Sequence, residues 1–472
     1  MSNEIQKLPL REKIGYGFGD LASCLFWMTI MSQLLFFYTD VFGLTAKAAG
    51  IMFFVSRILD AFFDVVIGMT ADRTKSRWGK FRPYILWGAI PLAVSAVLAF
   101  STPSFADTGK LIYAYITFIS FMFLYSTVNI PYTALLGVIS GDPVERADAA
   151  TSKFIGAFTA GIIVSATALP LAKYFGEGND AKGWHMTMMI YAVAAVVFLL
   201  VTFLSAHERV LPIAKEKTNV ARDLGDIIQN VPWILLFIVT ILFILFVCIR
   251  MSVTTHYFKY YIGEQEVTLF GTTHKFGFEI LTSAFNTVGQ VLSLLGTVMV
   301  PLVARFLGRK KAMIFLFIAA LICTGSFYFF KPENLVLIFV FQAIGSLVGG
   351  PMSPLLWIMY ADTADYSEWK TGRRATGLVF SAAIMSNKLG WAFGSMLAAL
   401  ILGATGFVAN VAQNVDVLNG IKAMMSVIPV AIGMVALIIL MFFYKLDEGT
   451  MAKVKADLDE RRKASEAGAA TT

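Results

Sequence analysis

Apolar runs of about twenty residues, broken by short polar intervals, recur along the whole chain. Each run is long enough to cross a hydrocarbon layer about 30 Å thick as an α-helix. The runs predict spans near 14–38, 46–71, 84–101, 110–140, 154–174 and 185–204, then near 231–258, 277–304, 312–330, 334–361, 375–402 and 420–444. This is the pattern of an all-α polytopic membrane protein with about twelve transmembrane helices in two six-helix halves. Residues 1–204 form the first half and 231–445 the second, joined by a polar linker at 205–230. Within the linker, the part after Asn219 reads as a short amphipathic helix on the membrane surface. Basic turns at 68–80 and 300–311 occupy equivalent places in the two halves, an echo expected of a duplicated transporter. The tail, 446–472, is polar, and its last ten or so residues are expected to be disordered.

Composition agrees with the pattern. Hydrophobic residues make up 57% of the chain and charged residues 15%, against about 25% charged in a soluble domain. A net charge of +7 raises the question of nucleic acid, but no basic–aromatic interleaving or zinc spacing accompanies it. Lysine and arginine instead gather at the termini and in the even-numbered connections, such as "DRTKSRWGKFRP" (72–83) and "ARFLGRKK" (304–311). That bias predicts cytoplasmic termini in a cell membrane. The first apolar segment is too long for a cleaved signal peptide and reads as the first span. Cys24, Cys248 and Cys323 are scattered, the four histidines are dispersed, and no G-x-x-x-x-G-K-[ST] loop occurs. No metal cluster, cofactor or ATP hydrolysis is expected. Nor does any nucleophile–base constellation suggest an enzyme, or any repeated filter motif a channel.

One span departs from the apolar rule. "RILDAFFDVV" (57–66) carries Arg57, Asp60 and Asp64 on one helical face, the two carboxylates about 6 Å apart along the axis. Each charge deep in a bilayer costs at least ~2.5–3.5 kcal/mol. Two carboxylates one turn apart can coordinate a small cation or share a proton. A structural pair between Arg57 and Asp60 is the plainer alternative, but one arginine cannot neutralise two aspartates.

"EKIGYGFGD" (12–20), "FFYTDVFGL" (36–44), "RILDAFFD" (57–64), "DRTKSRWGKFRP" (72–83), "NIPYTAL" (129–135) and "ADTADYSEW" (361–369) together resemble the glycoside–pentoside–hexuronide:cation symporters. This branch of the major facilitator superfamily includes the melibiose and glucuronide carriers. The resemblance implies the major facilitator fold and import of a glycoside, pentoside or hexuronide with a cation by alternating access. It also implies a chain that works as a monomer in the lipid bilayer with a small-molecule sugar partner. A lysophospholipid or drug carrier of the same fold, or an uncoupled sugar facilitator, remains the alternative.

The resemblance also implies roles for residues. Asp60 and Asp64 match the family's cation site, with Ser126 on the fourth span as a further oxygen. Sodium-coupled members carry Asn just before the second aspartate, where this chain has Phe63; the cation expected is therefore a proton, with sodium at Asp60 and Asp64 as the alternative. Lys388, in the eleventh span, matches a lysine near that site. The places of the melibiose carriers' sugar-binding aspartates hold Cys24 and Asn129, and Thr133 stands where several members stack a Trp. Lys153 matches a sugar-contacting Arg. With both carboxylate acceptors missing, an anionic sugar paired by Lys153 and Arg250 becomes a natural candidate. Trp357 in "PLLWIMYAD" is the aromatic most suited to stack on a sugar face. Asp72, Arg73 and Arg77 resemble the superfamily's basic loop. Asp362, Asp365 and Glu368 are expected to face Lys370, Arg373 and Arg374 as a breakable gate.

Overall fold

The computed structural model describes residues 7–140, 142–209, 230–269, 272–372 and 376–469. Six helices come first: α1 (Leu10–Phe36), α2 (Ala46–Arg73), α3 (Arg82–Ala99), α4 (Asp107–Leu135), α5 (Pro143–Gly176) and α6 (Asp180–Ser205). Then follow α7 (Val231–His256), α8 (Phe278–Val298), α9 (Val300–Leu307), α10 (Arg309–Ser326), α11 (Leu335–Gly349) and α12 (Met352–Thr371). Last are α13 (Thr376–Ala404), α14 (Val415–Met425), α15 (Val427–Ile438) and α16 (Glu448–Ala469). Wider π-turns extend α1 over Phe37–Val41, α7 over Tyr257–Ile262 and α15 over Ile439–Phe443.

Among the described residues, ten helices are long and apolar enough to cross a membrane. Two more fill the predicted places but carry too much charge for that description. One is α2, with Arg57, Asp60 and Asp64 mid-helix; the other is α10, which opens on Arg309, Lys310 and Lys311. Three predicted spans are interrupted where proline removes a backbone donor. The breaks fall before Pro301 (α8 to α9), at Pro351 (α11 to α12) and before Pro429 (α14 to α15). Pro91, Pro131 and Pro170, by contrast, lie inside unbroken helices.

Two expectations need correction. The chain is not wholly helical: Gln265–Leu269 and Thr272–Phe276 pair as a small antiparallel hairpin, in a stretch rich in β-branched residues. Nor is the tail end disordered, since α16 runs to Ala469. Met451, Val454 and Leu458 fall at helical spacing and are buried. Trp369 on α12 donates to Asp457 (2.8 Å), and Arg461 donates back to the Trp369 carbonyl (3.0 Å). The amphipathic helix expected after Asn219 lies outside the described residues.

The chain divides into two compact units. The first holds Met1–Ala214, Met251–Gln290 and Ser395–Ile421. In it α1 packs along α5 and α6, α3 along α4 and α6, and α2 along α4. The α1–α5 contact brings backbones together: a Cβ on Gly156 would overlap the Gly17 carbonyl oxygen. The second unit holds Lys215–Arg250, Val291–Gly394 and Lys422–Thr472. Its core is built from α7, α10, α12, α15 and α16, including Trp233, Phe243, Phe317, Tyr360 and Leu440.

Candidate functional site

In the first unit, α2 and α4 bring Asp60, Asp64 and Ser126 together. The Ser126 Oγ lies 2.9 Å from Asp60 Oδ1 and 2.8 Å from Asp64 Oδ1. Asp60 is 4% exposed and Ser126 3%. A hydroxyl has one hydrogen to donate and two lone pairs. It can donate to one carboxylate; the other contact becomes a hydrogen bond only if a proton sits on that carboxyl and is donated to Ser126. The three oxygens are thus brought within hydrogen-bonding reach of one another. Arg57, 7% exposed, lies one turn away, 3.9 Å from Asp60 Oδ2. Its guanidinium also stands 4.6 Å over the Trp27 ring, so it is held from both sides. The ion pair and the carboxylate pair thus coexist.

A second cluster of polar groups runs from there along α4. Trp27 stacks on Tyr125 (5.2 Å), whose hydroxyl accepts from Asn129 Nδ2 (2.8 Å). The Asn129 amide therefore serves another side chain rather than backbone near Pro131. Thr133 Oγ1 donates to Asn129 Oδ1 (3.4 Å) and accepts from Lys153 Nζ (3.3 Å). Lys153 also lies 5.5 Å from the Tyr132 ring and 3.9 Å from Asp20 Oδ1, and the Cys24 thiol points at the other Asp20 oxygen (3.9 Å). Cys24, Asn129, Thr133 and Lys153 are thus near neighbours, joined by a carboxylate that sequence reasoning left unassigned. Asp20 was legible only as the last residue of "EKIGYGFGD". Tyr16 and Tyr132 fix the floor of this cluster, stacked at 4.8 Å and each hydroxyl donating to the other's carbonyl.

Lys388 on α13, Arg250 on α7 and Trp357 on α12 belong to the second unit. Arg250 donates to Thr324 (3.4 Å) and Gln342 (3.3 Å), and its guanidinium covers the Phe327 ring (4.9 Å). Trp357 stacks on Phe380 at 6.1 Å and lines a small pocket with Thr240, Ser353, Tyr360 and Asn387.

Of the expected gate around α12, Asp362 pairs with Arg309 at the start of α10. Arg309 in turn meets Glu448 of α16 (3.2 Å). Burial has overridden sequence proximity here, because Asp362 faces the core while Lys370 is exposed. Asp365 lies on α12 one turn on. Arg73 ends α2, exposed, and Arg77 stacks on the neighbouring Trp78 (4.2 Å). Arg374 and the side chain of Asp72 lie outside the described residues. The segment after α6 supplies what fastens the basic loop. Glu208 accepts from the backbone N–H groups of Lys80, Phe81 and Arg82 (2.8, 2.7 and 3.2 Å). Arg209 grips Glu12 of α1 through both terminal nitrogens (2.6 and 2.8 Å).

Another charged cluster in the first unit escaped sequence reasoning. Asp40, in the π-turn that ends α1, accepts from Lys259 Nζ (2.7 Å), Thr39 Oγ1 (2.7 Å) and the Tyr260 hydroxyl. His256 Nε2 lies 3.4 Å away. Asn410, after α13, donates to the Asp40 carbonyl (2.7 Å) and accepts from Lys259 (2.7 Å). Three separate segments are thereby tied at one end of the unit.

The comparisons with known proteins can be set beside this geometry. Residues 15–448 match the model of a family described as MFS/sugar transport protein. The chain is 35% identical over 466 residues to the inner membrane symporter YicJ of Escherichia coli (strain K12), covering 98% of this chain and 97% of that one. It is 36% identical over 461 residues to the isoprimeverose transporter of Lactiplantibacillus pentosus, covering 96% and 92%. Among solved structures, a bacterial homolog of the human lysosomal transporter Spinster superposes with a TM-score of 0.66 at 13% identity. That alignment covers 94% of this chain and 97% of the other.

Proposed function

Because this chain belongs to the MFS/sugar transport protein family, a family of transporters and not of enzymes, we propose that it is a symporter of glycosides, pentosides or hexuronides. In this reading it is a multi-pass protein of the cell membrane with both termini cytoplasmic, and it imports its sugar with a proton by alternating access. Asp60, Asp64 and Ser126 take the cation; Cys24, Asn129, Thr133 and Lys153 contact the sugar. The observation that carries the proposal is the Ser126 hydroxyl set between two carboxylates (2.9 and 2.8 Å). A single proton can be shared among these oxygens, whereas a hard cation needs several oxygen ligands, and Phe63 offers none. The names of the relatives, an isoprimeverose transporter and a symporter, support a sugar as substrate and a second species moved with it.

Alternating access requires the Asp40 cluster to break when the site opens at that end, and the Arg309–Asp362–Glu448 cluster serves as a second brace. Uptake of labelled β-xylosides, α-xylosides, β-glucuronides and melibiose into vesicles, under a proton gradient, a sodium gradient or neither, tests the proposal. Accumulation of one sugar driven by the proton gradient is expected. Accumulation driven only by sodium would overturn the proton assignment, and absence of uptake of every sugar would overturn the sugar reading.

A further inference from the structure

Sequence reasoning leaves the sugar cluster with a lysine and no carboxylate, which suits an anionic sugar. The structure changes that balance. Asp20, 8% exposed, sits one helical turn before Cys24 and lies 3.9 Å from Lys153. The ammonium also donates to Thr133 and lies 5.5 Å from the Tyr132 ring. Within the same unit the buried cation Arg57 likewise faces a carboxylate, that of Asp60. Each cation near the cluster has an anion of the protein's own beside it.

We propose that Asp20 is the specificity-determining residue of this site, and that by occupying Lys153 it selects uncharged glycosides over hexuronides. A sugar carboxylate that approached Lys153 would come within roughly 5 Å of the Asp20 carboxylate. At the screening found inside proteins, that repulsion cancels more than half of what a carboxylate would gain from contact with Lys153, leaving little to offset the water the carboxylate gives up. An uncharged sugar meets no such opposition. Its hydroxyls can donate to Asp20 and accept from Lys153, using the two charged groups as a matched acceptor and donor. The selection is made by a charge already in place rather than by the shape of the pocket.

This inference rests on the sugar-transport reading above, and its test separates the two. The probes are p-nitrophenyl β-glucoside and p-nitrophenyl β-glucuronide, which differ by a hydroxymethyl against a carboxylate, together with the β-xyloside. Each competes against the sugar that the wild-type chain takes up in vesicles. The wild type is expected to be inhibited by the neutral compounds at least tenfold more strongly than by the glucuronide. Asp20→Asn should shift that ratio by tenfold or more towards the glucuronide, by weakening the neutral compounds and admitting the acid. Asp20→Glu, which keeps the charge, should keep the wild-type order. The double change Asp20→Asn with Lys153→Gln should lose the gain for the glucuronide, because the unmasked ammonium is gone.

An unchanged ratio in Asp20→Asn, or a wild type that prefers the glucuronide, overturns the inference while leaving sugar transport intact. Loss of all three compounds in parallel from a correctly inserted Asp20→Asn also overturns it, by making Asp20 structural. If Asp20→Asn does not insert, Asp20→Ser is read by the same ratio. A wild type that takes up no sugar defeats the transport reading instead.

Discussion

Asp40→Asn is the perturbation whose size the structure fixes best. The Asp40 side chain is 1% exposed, and Lys259, its ion-pair partner at 2.7 Å, is 17% exposed. Losing one partner of a fully buried pair costs about 3–5 kcal/mol, and a hydrogen bond to a charged group about 1.5–3 kcal/mol. Lys259 keeps some access to water, and the asparagine carbonyl can still accept from Lys259 or Tyr260. An effect of about 2–3 kcal/mol is therefore expected on the state in which the cluster is closed. Each 1.4 kcal/mol is tenfold, so the closed state should lose roughly 30- to 150-fold against any state in which these three segments part.

Two readouts follow. Asp40→Asn should melt lower in detergent. It should also raise the reactivity, towards a membrane-impermeant maleimide, of a single cysteine at Ser252, in a chain whose native cysteines are replaced. Ser252 lines a small pocket with Ile30, Leu34, Phe53, Arg57 and Ser395 in the same unit. A charge exchange, Asp40→Lys with Lys259→Asp, should restore part of both. Unchanged melting and labelling would refute the reasoning outright. A lower melt with unchanged labelling would leave Asp40 as a brace and remove its gating role.

Other positions give sharper single outcomes. Ser126→Ala removes the hydroxyl between Asp60 and Asp64. Gradient-driven accumulation should fall about tenfold or more, while equilibration by exchange survives, as seen by comparing net uptake with counterflow. Gly156→Ala places a methyl on the Gly17 carbonyl. It should lower stability by about 1–3 kcal/mol, read as a drop in melting temperature, with Gly17→Ala behaving alike because its Cβ would meet Ser152. Glu448 lies outside the spans, and hydrogen bonds from Arg309 hold its carboxyl below the usual glutamate range. Its contribution to docking α16 is complete above the ordinary glutamate range and is lost progressively as pH falls from that range through the lowered value. Hydrogen exchange of α16, corrected for its intrinsic pH dependence, should therefore rise once pH enters the range where free glutamates titrate. Glu448→Gln should raise it at neutral pH.

The spans were legible because a bilayer demands long apolar helices; the three breaks were not anticipated, although Pro301, Pro351 and Pro429 stand in the chain beside them. The carboxylate pair was legible because charge inside an apolar run is rare: Asp60 and Asp64 announce themselves. Contacts between distant segments were not. Asp40 and Lys259 are 219 residues apart and Arg309 and Asp362 are 53 apart, and nothing local distinguishes these charges from solvated ones. The tail was misread for another reason. Its low-complexity end hid the spacing of Met451, Val454 and Leu458, which gives α16 an apolar edge to bury.

Asp20 shows why composition at matched positions is a poor guide to the charge of a site. Counting only the places of the family's acidic acceptors, Cys24 and Asn129, leaves Lys153 without an acidic neighbour and makes an acidic sugar attractive. Folding puts a different carboxylate beside the same lysine, one turn away on the same helix. The contacts then run without interruption through one unit. They pass from Asp64 and Asp60 by Ser126 to Arg57, across Trp27 and Tyr125 to Asn129 and Thr133, and end at Lys153 and Asp20. Under the proposed proton coupling, a proton at Asp60 would weaken its hold on Arg57, whose guanidinium lies over the Trp27 ring. Coupling through this chain requires the aromatic pair to transmit that change. Trp27→Leu should then reduce the dependence of sugar affinity on pH more than it reduces sugar affinity itself, in binding measured on both sides of neutrality. Equal losses at every pH would mean that Trp27 only packs, and that cation and sugar communicate by another route.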